Sequence, residues 1–350
     1  MRILHVTNHV LEAGNGIVNV AVDLACTQCA QGHEVYFASS GGGYEQLLEE
    51  YGVIHYRITM GKSLTGAPRM LFSFLNIIKH THPDVVHAHM MTGALLAKVS
   101  QFLMHFKLIT HIHNEFQKSA RLMGVGDAVI AVSEAVRQSM LNRGISSKKL
   151  FVIRNGTIHS PRVDKVEPKT LQHPALVTVA GLYERKGIRD LIHAFSMLPD
   201  EVVAHLYIVG EGPDRQIFEK LAHESARHEF IHFEGFQRQP QRYYQGADIF
   251  VLASRKEPFG LVLLEAREYG CAIVATDVDG IPEALENGKA GFLVPVRNPE
   301  ALSERLSFLL KNDLLRTDIA IRAQKNLDHF TVERMAGEVL TLYDHVFIKK

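Results

Sequence analysis

Ser254-Arg255-Lys256-Glu257-Pro258-Phe259-Gly260-Leu261-Val262-Leu263-Leu264-Glu265-Ala266 follows an apolar run, Ala247-Asp248-Ile249-Phe250-Val251-Leu252-Ala253, with the composition of a buried strand. A turn and a helix come next, and the helix is expected to open at Pro258 to Gly260, since proline suits a first helical turn. Glu257 then stands at the mouth of the turn, and Glu265 lies about two turns into the helix. The N–H groups of Phe259, Gly260 and Leu261 are expected to point into the same space with the positive end of the helix dipole. Such a place takes a phosphate, and the two carboxylates beside it accept hydrogen bonds from hydroxyls. A polyhydroxylated phosphate ester matches this inventory. The duller alternative makes Glu257 a helix cap and Glu265 part of a solvated face, but residues 265–269 are not patterned as an open polar face.

Outward from this stretch, strand-like runs alternate with helical ones. Before it lie runs at 2–7, 34–39, 84–88, 107–112, 127–132 and 150–154, with amphipathic segments at 17–31, 68–82 and 134–143. The pattern restarts after 173, with strands expected at 175–180, 204–210, 230–234, 247–252, 271–276 and 291–294. Helices are expected there at 187–198, 213–227, 260–269, 299–311 and 315–326. This alternation predicts α/β units with parallel sheets covered on both faces. Between them, Thr157 to Pro174 carries Pro161, Pro168 and Pro174 without periodicity and is expected to be a linker. A last helix is expected at about 332–347. A chain of 350 residues exceeds what one core usually supports, so two domains are the default.

Composition narrows the class further. Apolar content of 46% with 22% charged residues is that of a soluble globular chain. No apolar run reaches 18 residues, and the chain enters a strand at Arg2-Ile3-Leu4-His5-Val6-Thr7 with no leader pattern. Three cysteines form no disulfide framework, which points to the cytosol. Cys26-Thr27-Gln28-Cys29 has redox spacing but falls in mid-helix, where a pair of small buried residues is expected. Residues 1–160 hold 14 Lys and Arg against 10 Asp and Glu, a balance of +4; the rest hold 24 against 28, a balance of −4. A basic first half suits an acidic partner, and so does scatter. No basic block or aromatic platform suggests nucleic acid.

Glu257-Pro258-Phe259-Gly260, Glu265-Ala266, Gly270, Ala275-Thr276-Asp277 and Gly280-Ile281-Pro282-Glu283, in this order, resemble the signature of the retaining glycosyltransferases of family 4, also called group 1. The two glutamates match the family's Glu-x7-Glu motif, and the similarity runs through nearly the whole chain. The resemblance implies the GT-B architecture, two Rossmann-like domains facing across a deep cleft. It implies an acceptor-binding domain at 1–160, joined by a C-terminal helix, about 330–350, that crosses back to it. It implies a nucleotide-sugar donor domain at 173–328.

Residue by residue, the resemblance implies a donor site of Gly16, Arg185, Lys186, Phe236, Glu257, Phe259, Gly260, Leu261, Val262 and Glu265. It implies catalytic roles for Glu257, His113, Lys186 and Arg185. Gly14-Asn15-Gly16 follows the first strand, and glycine there lets backbone approach a phosphate. Asn19 stands where the dinucleotide fingerprint has its third glycine, so no nicotinamide cofactor is indicated. In Gly181-Leu182-Tyr183-Glu184-Arg185-Lys186-Gly187 the chain departs from the family, which usually has arginine where Gly181 stands. Lys186 matches the family lysine, and Arg185 is expected to supply the missing guanidinium; a solvated basic loop is the alternative. Phe236 matches a position near the base, with core packing as an equal alternative. Glu265 is expected to take the ribose hydroxyls.

His87-Ala88-His89 and His111-Ile112-His113 each place two imidazoles on one face of a strand. Such pairs could bind zinc. The family needs no metal, and His113 matches its sugar-binding histidine, so hydroxyl binding is the expectation and no metal or cofactor is expected. Segment 68–82, flanked by Arg69 and Lys79, would suit either a membrane surface or a core-facing helix.

The expected function is metal-independent, retaining transfer of a hexosyl-type group from a nucleoside-diphosphate sugar to an acceptor hydroxyl. Polysaccharide, lipopolysaccharide or glycolipid biosynthesis is the expected setting. Uridine is the expected base on family frequency alone. The acceptor would be a glycan or glycolipid, and the location cytoplasmic, with peripheral contact at the inner face of the membrane. Alternatives are a GT-B-like sugar-nucleotide epimerase and a binding protein that keeps the fold without turnover.

Overall fold

The computed structural model describes residues 1–60 and 66–348. Contacts divide the chain into two units, Met1–Arg162 with Phe330–Lys350, and Val163–His329. Both are built from the apolar runs read above, each short and buried because helices cover both sheet faces.

In the first unit the strands are β1 (Arg2–Val6), β2 (Glu34–Ser39), β3 (Ile54–Arg57), β4 (Val85–Ala88), β5 (Lys107–Ile112), β6 (Ala128–Ala131) and β7 (Leu150–Val152). They form one parallel sheet in the order β3-β2-β1-β4-β5-β6-β7. Strand β1 therefore lies between β2 and β4, with Ile3 opposite Val35 on one side and Val85 on the other. In the second unit β8 (Ala175–Val179), β9 (His205–Val209), β10 (Ile231–Gly235), β11 (Ile249–Leu252), β12 (Ala272–Thr276) and β13 (Phe292–Val294) form a parallel sheet in the order β10-β9-β8-β11-β12-β13. In both sheets the order reverses beside the first strand, which puts a crevice at the carboxyl ends of the central strands. Leu176, Ile208, Val251 and Val274 lie in the core beneath the second sheet.

Several elements differ from the sequence expectation. β3 was not expected, because Ile54-His55-Tyr56-Arg57 is a half-exposed edge with no continuous apolar run. Helices Glu45–Glu50, Met91–Ser100, Gln241–Gly246 and Ile281–Ala284 were also missed. The stretch 157–174 is less of a linker than its prolines suggested. The amides of Thr157 and Ile158 bond the Phe330 carbonyl. Arg162 makes a two-pronged ion pair to buried Asp23. Lys169 N bonds Arg242 O, which ties the later part to the second unit.

The last helix, Val332–Ile348, packs on helix Gly16–Ala30 within the first unit and buries Met335, Val339 and Tyr343. Positions 349 and 350 of the expected helix lie outside the described residues. Cys26 and Cys29 sit within Gly16–Ala30 as free thiols, and burial pushes the Cys26 thiol far up, which disfavours the thiolate there.

Candidate active site

Strand β11 ends at Leu252, and Ser254 to Gly260 turn the chain into helix Leu261–Glu268. The helix begins later than the sequence suggested. Gly260 is its N-cap with φ of 93°, a left-handed conformation natural only to glycine, so Pro258 and Phe259 belong to the approach and not to the first turn. No side chain caps this helix, which removes the capping alternative for Glu257. Glu257 is 7% exposed. Its Oε2 accepts from Lys186 Nζ at 2.5 Å and from Ser254 Oγ at 3.2 Å. Its backbone N–H donates to Asp279 Oδ2 at 2.9 Å, and its carbonyl accepts from Gly280 N at 3.0 Å. The motif carboxylate and the motif lysine thus form one ion pair, largely shielded from water, at the mouth of a helix.

The neighbouring cations separate by partner. Arg255 is committed to Asp190 at 2.6 and 2.7 Å and to Glu184 at 3.4 Å, and the Asp190 carboxylate holds its pKa above the ordinary value. Arg189 is held by Glu184. Arg185 lies differently: its guanidinium sits 5.0 Å over the ring of Tyr183, while its carbonyl accepts from Arg255 N at 2.8 Å. A Cβ on Gly181 would come within 2.9 Å of the same Tyr183 ring. The absence of a side chain at 181 therefore makes room for Tyr183, on which Arg185 stacks.

On helix Leu261–Glu268, Leu261 and Val262 are half-buried. Glu265 Oε2 accepts from Tyr244 OH at 2.7 Å, so it is not a solvated face residue. Burial, then the Glu265 charge, pushes the Tyr244 phenol well up and keeps it a donor. Phe236 follows β10 and is 42% exposed, which excludes core packing as its reason. β9 and β8 stand between β10 and β11, so Phe236 belongs to a different part of this sheet from Glu257. Lys186 and Glu257 are in direct contact. Arg185, Phe259, Gly260, Leu261, Val262 and Glu265 lie on the same two connections, after β8 and after β11. Sequence reasoning missed Tyr183, Tyr244, Ser254 and Asp279 as partners; Tyr183 and Ser254 stand inside stretches singled out above and Asp279 next to Gly280-Ile281-Pro282-Glu283, while Tyr244 carried no local signal.

Gly16 and His113 are in the first unit. Gly16 opens helix Gly16–Ala30, whose N-cap Asn15 accepts from Ile17 N at 3.1 Å. His113 follows β5 and is 9% exposed. It ends a buried group of five histidines: His5 on β1, His87 on β4 with His89 just beyond, His111 on β5, and His113. His5 Nε2 lies 2.8 Å from Gln28 Oε1, His5 Nδ1 2.9 Å from His89 Nε2, and His89 Nδ1 3.1 Å from His113 Nε2. His87 Nδ1 is 2.5 Å from Tyr343 OH. Burial lowers every one of these pKa values, His5 to about 4 and His113 to about 3, so all are neutral near pH 7. His5, His87 and His89, and likewise His89, His111 and His113, bring ring nitrogens within 4.8 Å of one another. Neither trio includes a carboxylate or thiolate to offset a divalent charge in this core.

The sequence model described as "Glycosyl transferases group 1" matches residues 160–326, and that described as "Glycosyltransferase Family 4" matches residues 14–160. The N-acetyl-alpha-D-glucosaminyl L-malate synthase of Bacillus anthracis is 23% identical over 94% of this chain and 93% of its own. The N,N'-diacetylbacillosaminyl-diphospho-undecaprenol alpha-1,3-N-acetylgalactosaminyltransferase of Campylobacter jejuni is 30% identical over 62% of this chain and 60% of its own. Among solved structures, Anabaena HepE in complex with UDP and glucose superposes with a TM-score of 0.82 at 18% identity, over 99% of this chain and 100% of that one.

Proposed function

The chain belongs to the group 1, family 4 glycosyltransferases of GT-B fold, and on that premise we propose that it moves a hexosyl-type group from a UDP-sugar to an acceptor hydroxyl with retention. The observation that carries this proposal is the Lys186–Glu257 pair at the mouth of helix Leu261–Glu268. The chemical difficulty is departure of a diphosphate from an oxocarbenium-like sugar. Lys186, Arg185 and the N-terminus of helix Leu261–Glu268 stabilise the leaving charge. Glu257, its carboxylate oriented by Lys186 and Ser254, aligns the sugar through hydroxyls. Glu265 takes the ribose hydroxyls, and Phe236, Leu261 and Val262 line the nucleoside side. His113 and Gly16 bind the sugar and the diphosphate from the first unit. No covalent nucleophile is assigned: the departing phosphate takes the acceptor proton on one face of the sugar. With Lys186 and Arg185 on the connection after β8 to meet the diphosphate, no metal is required. The uridine base is supported by the likeness to HepE, solved with UDP.

The acceptor is a glycan or glycolipid, met at the membrane surface. The exposed side of helix Met91–Ser100 and the turn after it is apolar, with Leu95, Val99, Phe102 (82% exposed) and Leu103 in one stripe. The adjoining helix Ala67–Thr81 exposes Phe72 between Arg69 and Lys79. Nearby, Lys118, Arg121 and Arg143 line a concavity of about 620 Å³. Exposed apolar side chains with cations on the neighbouring elements suit an anionic bilayer.

The test is incubation with a panel of nucleotide sugars, with and without acceptor, after metal stripping and in excess EDTA. Transfer of an α-linked sugar from the UDP donor is expected. An epimerised donor without an acceptor, or activity restored only by a metal, would replace this proposal. Cosedimentation with phosphatidylglycerol-containing vesicles, lost in Phe102→Glu/Leu103→Glu, tests the membrane contact.

A further inference from the structure

Neutral imidazole carries one N–H and one lone pair, so a row of imidazoles bonded nitrogen to nitrogen must point all its protons one way. In the row Gln28–His5–His89–His113 the direction is set at one end. Gln28 Oε1 can only accept, so His5 Nε2 carries the proton and His5 Nδ1 the lone pair. That lone pair requires the proton of His89 to be on Nε2, and His89 Nδ1 in turn requires the proton of His113 to be on Nε2. The last atom of the row, His113 Nδ1, is buried and has no hydrogen-bond partner among the described residues. The row Gln28–His5–His89–His113 thus ends in a buried acceptor, His113 Nδ1. A fixed acceptor is not a general property of histidine, which elsewhere exchanges freely between tautomers.

We propose that Gln28, His5 and His89 are positioning residues that hold His113 in the Nε2–H tautomer, so that its Nδ1 accepts a hydrogen bond from a hydroxyl of the transferred sugar. This rests on the reading of His113 as a sugar-binding residue. A ligand hydroxyl then acts as donor at this point, and a group able only to accept is refused. A cation at the cluster competes with this arrangement. A ring nitrogen that ligates a cation gives its lone pair to it and carries no proton, so a cation held through a nitrogen of the row would break the row.

The experiment reads the tautomer directly. In protein labelled with ¹⁵N-histidine, long-range ¹H–¹⁵N correlation distinguishes a protonated from an unprotonated ring nitrogen, and loss of a signal in His113→Gln assigns it. Wild-type His113 is expected to show a protonated Nε2 and a bare Nδ1, a result that needs no variant to fold. In Gln28→Met the acceptor at the end of the row is gone, and His113 is expected to become a mixture. KM for the sugar nucleotide should then rise about three- to tenfold, the effect of one hydrogen bond. Affinity for UDP, read in parallel by calorimetry, should stay unchanged. A proton on Nδ1 in wild type, or one tautomer regardless of residue 28, would overturn the relay. So would stoichiometric zinc in the purified protein. A tautomer that responds to Gln28→Met while KM does not would leave the relay standing and remove His113 from the sugar site.

Discussion

At Glu265 the carboxylate is already oriented by Tyr244 OH, so it meets a ligand without first being ordered. Glu265→Ala should therefore weaken UDP binding at least tenfold, because hydrogen bonds to a charged group are worth about 1.5–3 kcal/mol. Calorimetry on the folded variant checks this, and unchanged affinity would remove Glu265 from the ribose. The two cations make a sharper comparison. Lys186→Ala should lower turnover about 100- to 1,000-fold, typical of losing a donor to a developing anion. Arg185→Ala should do the same if its guanidinium leaves Tyr183 for the diphosphate; near-normal turnover would make the stack with Tyr183 purely structural. The glutamate pair was legible in the sequence because it came with its surrounding order of residues. The Tyr183–Arg185 stack was not, since it depends on rotamers and on the space left at Gly181. Nor was Tyr244, which reaches Glu265 from another connection.

Among elements, β1, β4 and β5 share the histidine row, and this gives their layer a pH dependence. Each imidazole has a folded pKa below its unfolded value near 6.5, chiefly through burial, so the unfolded chain binds more protons. The stability involved is fully present above pH 6.5 and is lost as pH falls toward about 4 for His5 and about 3 for His113. Protection factors for amide exchange in β1, β4 and β5, referred to the intrinsic rate at each pH, should fall through that window, and flat protection factors down to pH 4 would contradict the buried neutral state. The strands themselves were legible because a sheet covered on both faces needs continuous apolar runs. β3, on the edge, was not, and neither were the short polar helices. The row was invisible for another reason: it exists only once the order β1-β4-β5 sets residues 5, 89 and 113 side by side.

For the whole molecule, nucleotide should act on one unit first. UDP is expected to protect residues 181–187 and 257–265 from hydrogen exchange, and protection confined to the first unit would reverse the donor assignment. Ligand at 100 times its Kd stabilises what binds it by about 2.7 kcal/mol, enough to read as a shift in melting. The two-unit pattern was visible in the restart of strands after 173. The route of the last helix was known only from resemblance, because nothing in 332–348 names its neighbours. That route has a consequence for how the protein is made. Helix Val332–Ile348 supplies Tyr343 to His87 and Val332 N to Ile158 O, so the first unit contains its own beginning and the last helix of the described chain. At a translation rate of about 5–20 residues per second, synthesis of residues 163–329 takes roughly ten to thirty seconds. Throughout that delay the first sheet waits on the ribosome with the groove for its closing helix uncovered. The second unit, though begun later, can finish first, and the nascent first sheet is where a chaperone would be needed.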